Sequence, residues 1–180
     1  MVILASASPR RKELLKKIYP EFKIVVPEVD ERLLDTVLTP KDLAAEESRL
    51  KAYAVFASYP EDEIIACDTI VVLDEKVLGK PKDEEEAKAM LRKESGRWQT
   101  VLSGYTYLSK KKEITRTVAT RVLFNELSEE LIEEYVRTKS PLDKAGAYGI
   151  QDGFPLIREI DGSFDNVMGL PTEDMAKHLK

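Results

Sequence analysis

The first fifteen residues constrain this chain most tightly. Val2-Ile3-Leu4-Ala5 is a short apolar run of strand length, and Ser6-Ala7-Ser8-Pro9 leads from it directly into Arg10-Arg11-Lys12-Glu13-Leu14-Leu15. Ser8 is a natural helix N-cap and Pro9 is pre-set for the first helical position, so the chain is expected to turn there from strand to helix. Arg10 and Arg11 then fall in the first helical turn, against the positive end of the helix dipole, where an anion is expected to offset them. Free backbone N–H groups, a serine hydroxyl and two guanidinium forks together describe a phosphate site.

The chain has 180 residues, 43% of them hydrophobic and 34% charged, which suits a well-cored globular domain. No apolar run approaches membrane-spanning length and no signal-peptide pattern precedes the first strand, so a cytoplasmic location and no membrane partner are expected. The net charge of -5 and pI near 5.2 make nucleic acid an unexpected partner. Arg10, Arg11, Lys51, Lys80, Lys82 and Lys144 nevertheless fall in or beside loops and helix starts, so a local cationic cleft for a small anion is compatible with the acidic whole. Cys67 is the only cysteine and His178 the only histidine. Disulfides, cysteine-rich zinc sites and histidine-based triads are thereby set aside, and acid–base or metal chemistry falls to carboxylates and lysines.

The spacing predicts a helix over residues 9–19, a strand over Phe22 to Val26, and a helix from Thr39-Pro40 to about Ser58. Glu63 to Cys67 reads as a buried strand, with Thr69 to Leu73 as a second strand or its continuation. A charged helix over 83–94 ends at Ser95-Gly96, and Trp98 to Leu108 with Ile114 to Phe124 forms a long hairpin. A further helix starts at Ser128, late strands are expected at Ala147 to Ile150 and Leu156 to Ile160, and Pro171-Thr172 opens a terminal helix. The mixture indicates an α/β or α+β mixed sheet, with no repeat or interdomain linker in one domain spanning 1–180.

Asp68 is the sharpest candidate for chemistry. It interrupts an apolar run, where an unpaired carboxylate is costly to bury, so it is expected at a strand end facing a cleft. There it suits either ligation of a divalent cation or polarisation of a water. Thr69 beside it is a candidate substrate contact, whereas Cys67 reads as a core side chain. Gly79-Lys80-Pro81-Lys82 sets two lysines around a rigid turn within reach of phosphates. Lys51, mid-helix, has the ordinary fate of a surface lysine, and Glu31, in an acidic loop, becomes interesting only as a partner for Asp68. In Asp143-Lys144-Ala145-Gly146-Ala147-Tyr148-Gly149-Ile150-Gln151-Asp152-Gly153, the glycines permit close backbone approach and Gln151 can both donate and accept toward a base edge.

In order and spacing these segments resemble the Maf family of nucleoside triphosphate pyrophosphatases, historically described as septum-formation inhibitors. The resemblance runs through Leu4-Ala5-Ser6-Ala7-Ser8-Pro9-Arg10-Arg11, Val29-Asp30-Glu31, Lys51-Ala52, Cys67-Asp68-Thr69-Ile70-Val71, Leu78-Gly79-Lys80-Pro81, Asp143 to Gln151, and Ile160-Asp161-Gly162-Ser163 with Asn166 to Pro171. It implies a mixed α/β fold with a deep nucleotide-binding cleft, related to inosine triphosphate pyrophosphatases, and a homodimer. It also implies cleavage between the α and β phosphates with magnesium or manganese. Carried over, Asp68 is the proton acceptor, Ser8, Arg10, Lys51 and Lys80 are phosphate contacts, and Glu31 is a metal or acidic partner with Asp68. Arg11, Thr69 and Gln151 resemble the dTTP/UTP branch, where such groups satisfy a pyrimidine's O2, N3–H and O4 in an order the sequence leaves open. Other readings are the same chemistry on another modified nucleotide such as 7-methyl-GTP, or a nucleotide-sensing regulator of septum formation. The chain departs from the family pattern at Gln99, a usual histidine position, and at Lys139-Ser140, where Gly-Glu is common.

Overall fold

Strand β1 (Val2–Ala5) is buried at every position, which requires cover on both faces. In the computed structural model, which describes residues 1–29 and 38–180, β1 pairs in parallel with β2 (Lys23–Ile24) and with β3 (Glu63–Leu73). Helix α1 (Pro9–Leu15) follows β1, and helix α2 (Pro40–Phe56) precedes β3. The strand alternation divides the cover between them. Val2, Leu4, Ile65 and Cys67 pack with Leu14, Leu15 and Ile18, whereas Ile3, Ala5, Ile64 and Ala66 pack with Ala52 and Val55 of α2. The two helices therefore cover opposite faces of β1 and β3.

The remaining elements are β4 (Lys76–Leu78), α3 (Glu84–Glu94), β5 (Trp98–Leu108), β6 (Glu113–Phe124), α4 (Glu129–Arg137), β7 (Ile157–Asp161), α5 (Phe164–Met168) and α6 (Thr172–Leu179). Among the described residues seven strands form one mixed sheet in the order β2-β1-β3-β5-β6-β7, with β4 antiparallel on β3. Side-chain caps start the helices as their sequences predict: Ser8 accepts from Arg11 N, Thr39 from Asp42 N and Ser128 from Leu131 N.

The chain divides into two units. One comprises Met1–Thr69, Leu102–Val118 and Asp165–Lys180; the other comprises Ile70–Val101 and Ala119–Phe164. β3, β5 and β6 contribute residues to both. The first unit is built on the two faces just described. In the second, Ala87 and Leu91 of α3 and Ile132 and Val136 of α4 are buried, and Tyr148 meets Phe124 edge-on at a centroid distance of 4.7 Å.

The mixed α/β sheet expected from the sequence is present, and four local expectations are corrected. Helix α1 ends at Leu15, short of residue 19, and β2 is two residues long. Ala147 to Ile150 is not a strand: Gly146 and Ala147 take φ of +69° and +61°, left-handed values that no strand accommodates. Asp68 does not end a strand. It lies in the middle of the 11-residue β3, because Lys51 meets its charge there.

Helix α2 can lie this close to the sheet only because residue 104 is glycine. A Cβ at Gly104 of β5 would stand 2.2 Å from the Ala44 carbonyl oxygen of α2, and backbone cannot yield as a flexible side chain does. Gly104→Ala is expected to cost about 3 kcal/mol or more, read as a lower urea midpoint at unchanged slope.

Candidate active site

The alternation that distributes the core also aims the polar residues of β3. Asp68 shares the face of Ile64 and Ala66, against α2, while Thr69 shares the face of Ile65 and Cys67, against α1. On the α2 side the Lys51 ammonium donates to Asp68 Oδ1 at 2.6 Å, with side chains only 14% and 12% exposed. The lysine that the sequence alone leaves as a surface residue is thus drawn into the interior by the aspartate. Burial raises the Asp68 pKa. The hydrogen bond shared with Glu47, the Lys51 ammonium and the Arg11 guanidinium outweigh it and hold the carboxyl below the usual aspartate range.

On the α1 side, Arg11 Nη2 donates to Thr69 Oγ1 at 3.1 Å and Nε donates to the Gly169 carbonyl at 2.8 Å. Thr69 Oγ1 also lies 2.8 Å from Ser103 Oγ. Neutral oxygens therefore hold Arg11, in place of the expected anion. Arg10, half-exposed at the same helix start, has no hydrogen bond or ion pair among the described residues. Ser8 Oγ accepts the capping bond from Arg11 N at 3.3 Å, which leaves its O–H free to donate. Cys67 is wholly buried, with burial raising its thiol pKa, as befits a core side chain.

The second unit holds the other two candidates. Lys80 and Gln151 are both exposed. Their segments are tied together where Gly146 N donates to the Gly79 carbonyl at 3.2 Å. A depression of about 360 Å³ in this unit, lined by Gly149, Ile150, Phe154, Leu156 and residues of β7, includes none of the predicted site residues. Glu31 lies outside the described residues. Among the described residues no cluster of three or more His, Cys, Asp or Glu side chains forms a metal cage.

Sequence reading missed three features. Glu47 stands four residues before Lys51 on α2, a spacing that places both on one helix face and was the available signal. Ser103 carried no signal, since a serine inside a β-hairpin is unremarkable. Glu94 is the third. It closes α3 with its side chain wholly buried, and neither carboxyl oxygen has a partner among the described residues, nor do the Tyr148 hydroxyl and the Gln99 amide.

A model of the Maf family, described as Maf-like protein, matches residues 1–180. The chain belongs to the Maf family. Among Maf relatives, a dTTP/UTP pyrophosphatase of Pyrococcus abyssi is 45% identical over 181 residues, covering 100% of this chain and 95% of its own. Another dTTP/UTP pyrophosphatase, from Carboxydothermus hydrogenoformans, is 47% identical over 182 residues, with 99% and 97% covered. Among solved structures, the Staphylococcus aureus Ham1 protein covers 69% of this chain and 72% of its own at 14% identity, with a TM-score of 0.49, a likeness too low to bear on function.

Burial pushes the Glu94 carboxyl well above the usual glutamate range. Its neutral form therefore favours folding fully below the unfolded pKa of about 4.3, and that contribution is lost as pH rises toward the folded value. Glu94→Gln, which cannot ionise, is expected to gain stability relative to the parent as pH rises from 5 to 8 in urea unfolding. A difference independent of pH would contradict the assignment.

Proposed function

We propose that this chain hydrolyses dTTP and UTP between the α and β phosphates, releasing the nucleoside monophosphate and pyrophosphate, with residues 1–180 acting as one catalytic domain. The observation that carries the reading is the buried Asp68–Lys51 pair, in a chain whose relatives at 45–47% identity are named dTTP/UTP pyrophosphatases. Phosphoanhydride hydrolysis asks mainly for charge neutralisation and an aligned water. An aspartate held ionised beside an ammonium is ready to accept a proton from that water at neutral pH, and the ammonium remains to face phosphate charge.

Ser8 donates its free O–H to a phosphate oxygen, and Arg10, Lys51 and Lys80 supply cationic contacts. Arg11, Thr69 and Gln151 read the pyrimidine. Hydrogen-bonded to Thr69 and to a carbonyl, Arg11 is fixed in orientation as a base reader must be. Asp68, with Glu47 hydrogen-bonded to it, offers hard carboxylate oxygens of the kind magnesium and manganese take, one or two at a time alongside substrate phosphates. Asp68 and Glu31 are the residues proposed to hold the ion, which when bound neutralises phosphate charge. A homodimer is the assembly that the family resemblance favours.

Product analysis on a panel of nucleoside triphosphates, separating pyrophosphate from phosphate release, tests the proposal. Pyrophosphate and monophosphate are expected from dTTP and UTP, with turnover falling about 10²–10⁴-fold in Asp68→Asn. Undiminished turnover in that variant would refute the assigned base, and phosphate release would refute the assigned bond.

A further inference from the structure

Gly149-Ile150-Gln151-Asp152 is a four-residue turn closed by Asp152 N donating to the Gly149 carbonyl at 3.2 Å. Gln151 sits at its third position, exposed, and its side chain has no hydrogen bond among the described residues. The ends of the turn are held instead, and by one hydroxyl. Tyr135 Oη of α4 accepts from Gly149 N at 2.8 Å and donates to Asp152 Oδ2 at 2.6 Å. The same carboxylate oxygen accepts from Ser140 Oγ at 2.8 Å, and Ser140 Oγ in turn accepts from the buried Lys144 ammonium at 2.8 Å.

Side chains also press closely on the start of the turn. A Cβ at Gly149 would stand 2.7 Å from Lys144 Cε and 2.9 Å from Asp152 Oδ2. The Tyr135 ring is anchored independently against Phe154 at a centroid distance of 4.8 Å. Ser140, one of the positions at which the chain departs from the family pattern, is part of this network. Lys144 meets two carboxylates, that of Asp143 at 3.2 Å and that of Asp152 at 3.7 Å.

We infer that Tyr135, acting with Asp152 and Ser140, is a positioning residue for pyrimidine selection: by pinning both ends of the turn it sets the place of the Gln151 amide. The inference rests on the proposed reading of Gln151 as a base contact. A base-reading amide left on a loose turn loses orientational restraint before it loses any hydrogen bond, so the penalty belongs to binding of the base and spares the phosphate end. Burial raises the Tyr135 phenol pKa, so the hydroxyl remains a donor to Asp152 throughout the working range.

The test compares Tyr135→Phe, which keeps the ring and removes the hydroxyl, with Gln151→Ala and the double variant. Steady-state kinetics use dTTP as substrate and inorganic tripolyphosphate, which has no base, as competitive inhibitor. Tyr135→Phe is expected to raise KM for dTTP roughly tenfold with kcat within about twofold, the scale of one hydrogen bond to a charged acceptor. Inhibition by tripolyphosphate is expected to be unchanged, and the double variant no worse than Gln151→Ala alone. Asp152→Ala is expected to reproduce the effect and Asp152→Asn, which keeps an acceptor oxygen, to rescue it; these variants carry the test if Tyr135→Phe does not fold. An unchanged KM in Tyr135→Phe and Asp152→Ala, beside a raised KM in Gln151→Ala, overturns the inference alone. Equal weakening of dTTP and tripolyphosphate, or additive effects in the double variant, also overturns it, since both mark a general structural role. An unchanged KM in Gln151→Ala overturns the assignment of Gln151 itself, and this inference with it.

Discussion

The Lys51–Asp68 ion pair is the interaction around which the first unit is arranged. A carboxylate in the centre of a buried strand and an ammonium on a covering helix each carry a desolvation cost of several kcal/mol, which their attraction offsets only in good geometry. The geometry here is good, at 2.6 Å, but an apolar pair of similar volume would stabilise the fold as well or better. Retaining the charges makes sense where one of them has work to do. The hydrogen bond with Glu47 and the Arg11 guanidinium also favour the ionised form of Asp68, so the carboxylate is already deprotonated when a water needs a proton acceptor.

Strand alternation converts this single charge into a two-sided site. Asp68 and Thr69 are neighbours in sequence and face opposite ways. One meets Lys51 on α2 and the other meets Arg11 on α1. Gly104, by omitting a side chain beneath Ala44, sets how near α2 lies and hence where the Lys51 stem begins. Core packing and site geometry are therefore not separable here, because the same register fixes both.

Much of this was legible in the chain. Ser8, Thr39 and Ser128 announced their helices through local capping chemistry, and the length of the β5–β6 hairpin followed from its apolar runs. Asp68, Lys51, Arg11 and Thr69 were singled out by residue type or by resemblance to Maf proteins. The pairing of Asp68 with Lys51, seventeen residues away across a helix–strand packing, was not legible, because periodicity assigns a face without naming the partner. The strand expected at Ala147 failed for a related reason: its apolar residues fit a strand pattern, but positive φ at Gly146 and Ala147 is imposed by tertiary bonds such as that from Gly146 N to the Gly79 carbonyl. Glu94 was invisible as a buried acid because it ends a helix whose other glutamates and lysines are exposed or half-buried.

If the ion pair serves chemistry, it is dispensable to the fold, and this separates the account from one in which the pair is a structural staple. The decisive measurement is the unfolding free energy and dTTP turnover of Lys51→Met/Asp68→Val, set beside each single substitution. The account predicts that each single change destabilises by about 3–5 kcal/mol through the charge left behind, while the double variant returns to within about 1 kcal/mol of the parent or exceeds it, with turnover abolished. A double variant that still turns over dTTP, or one that loses the sum of the two single penalties, would contradict it.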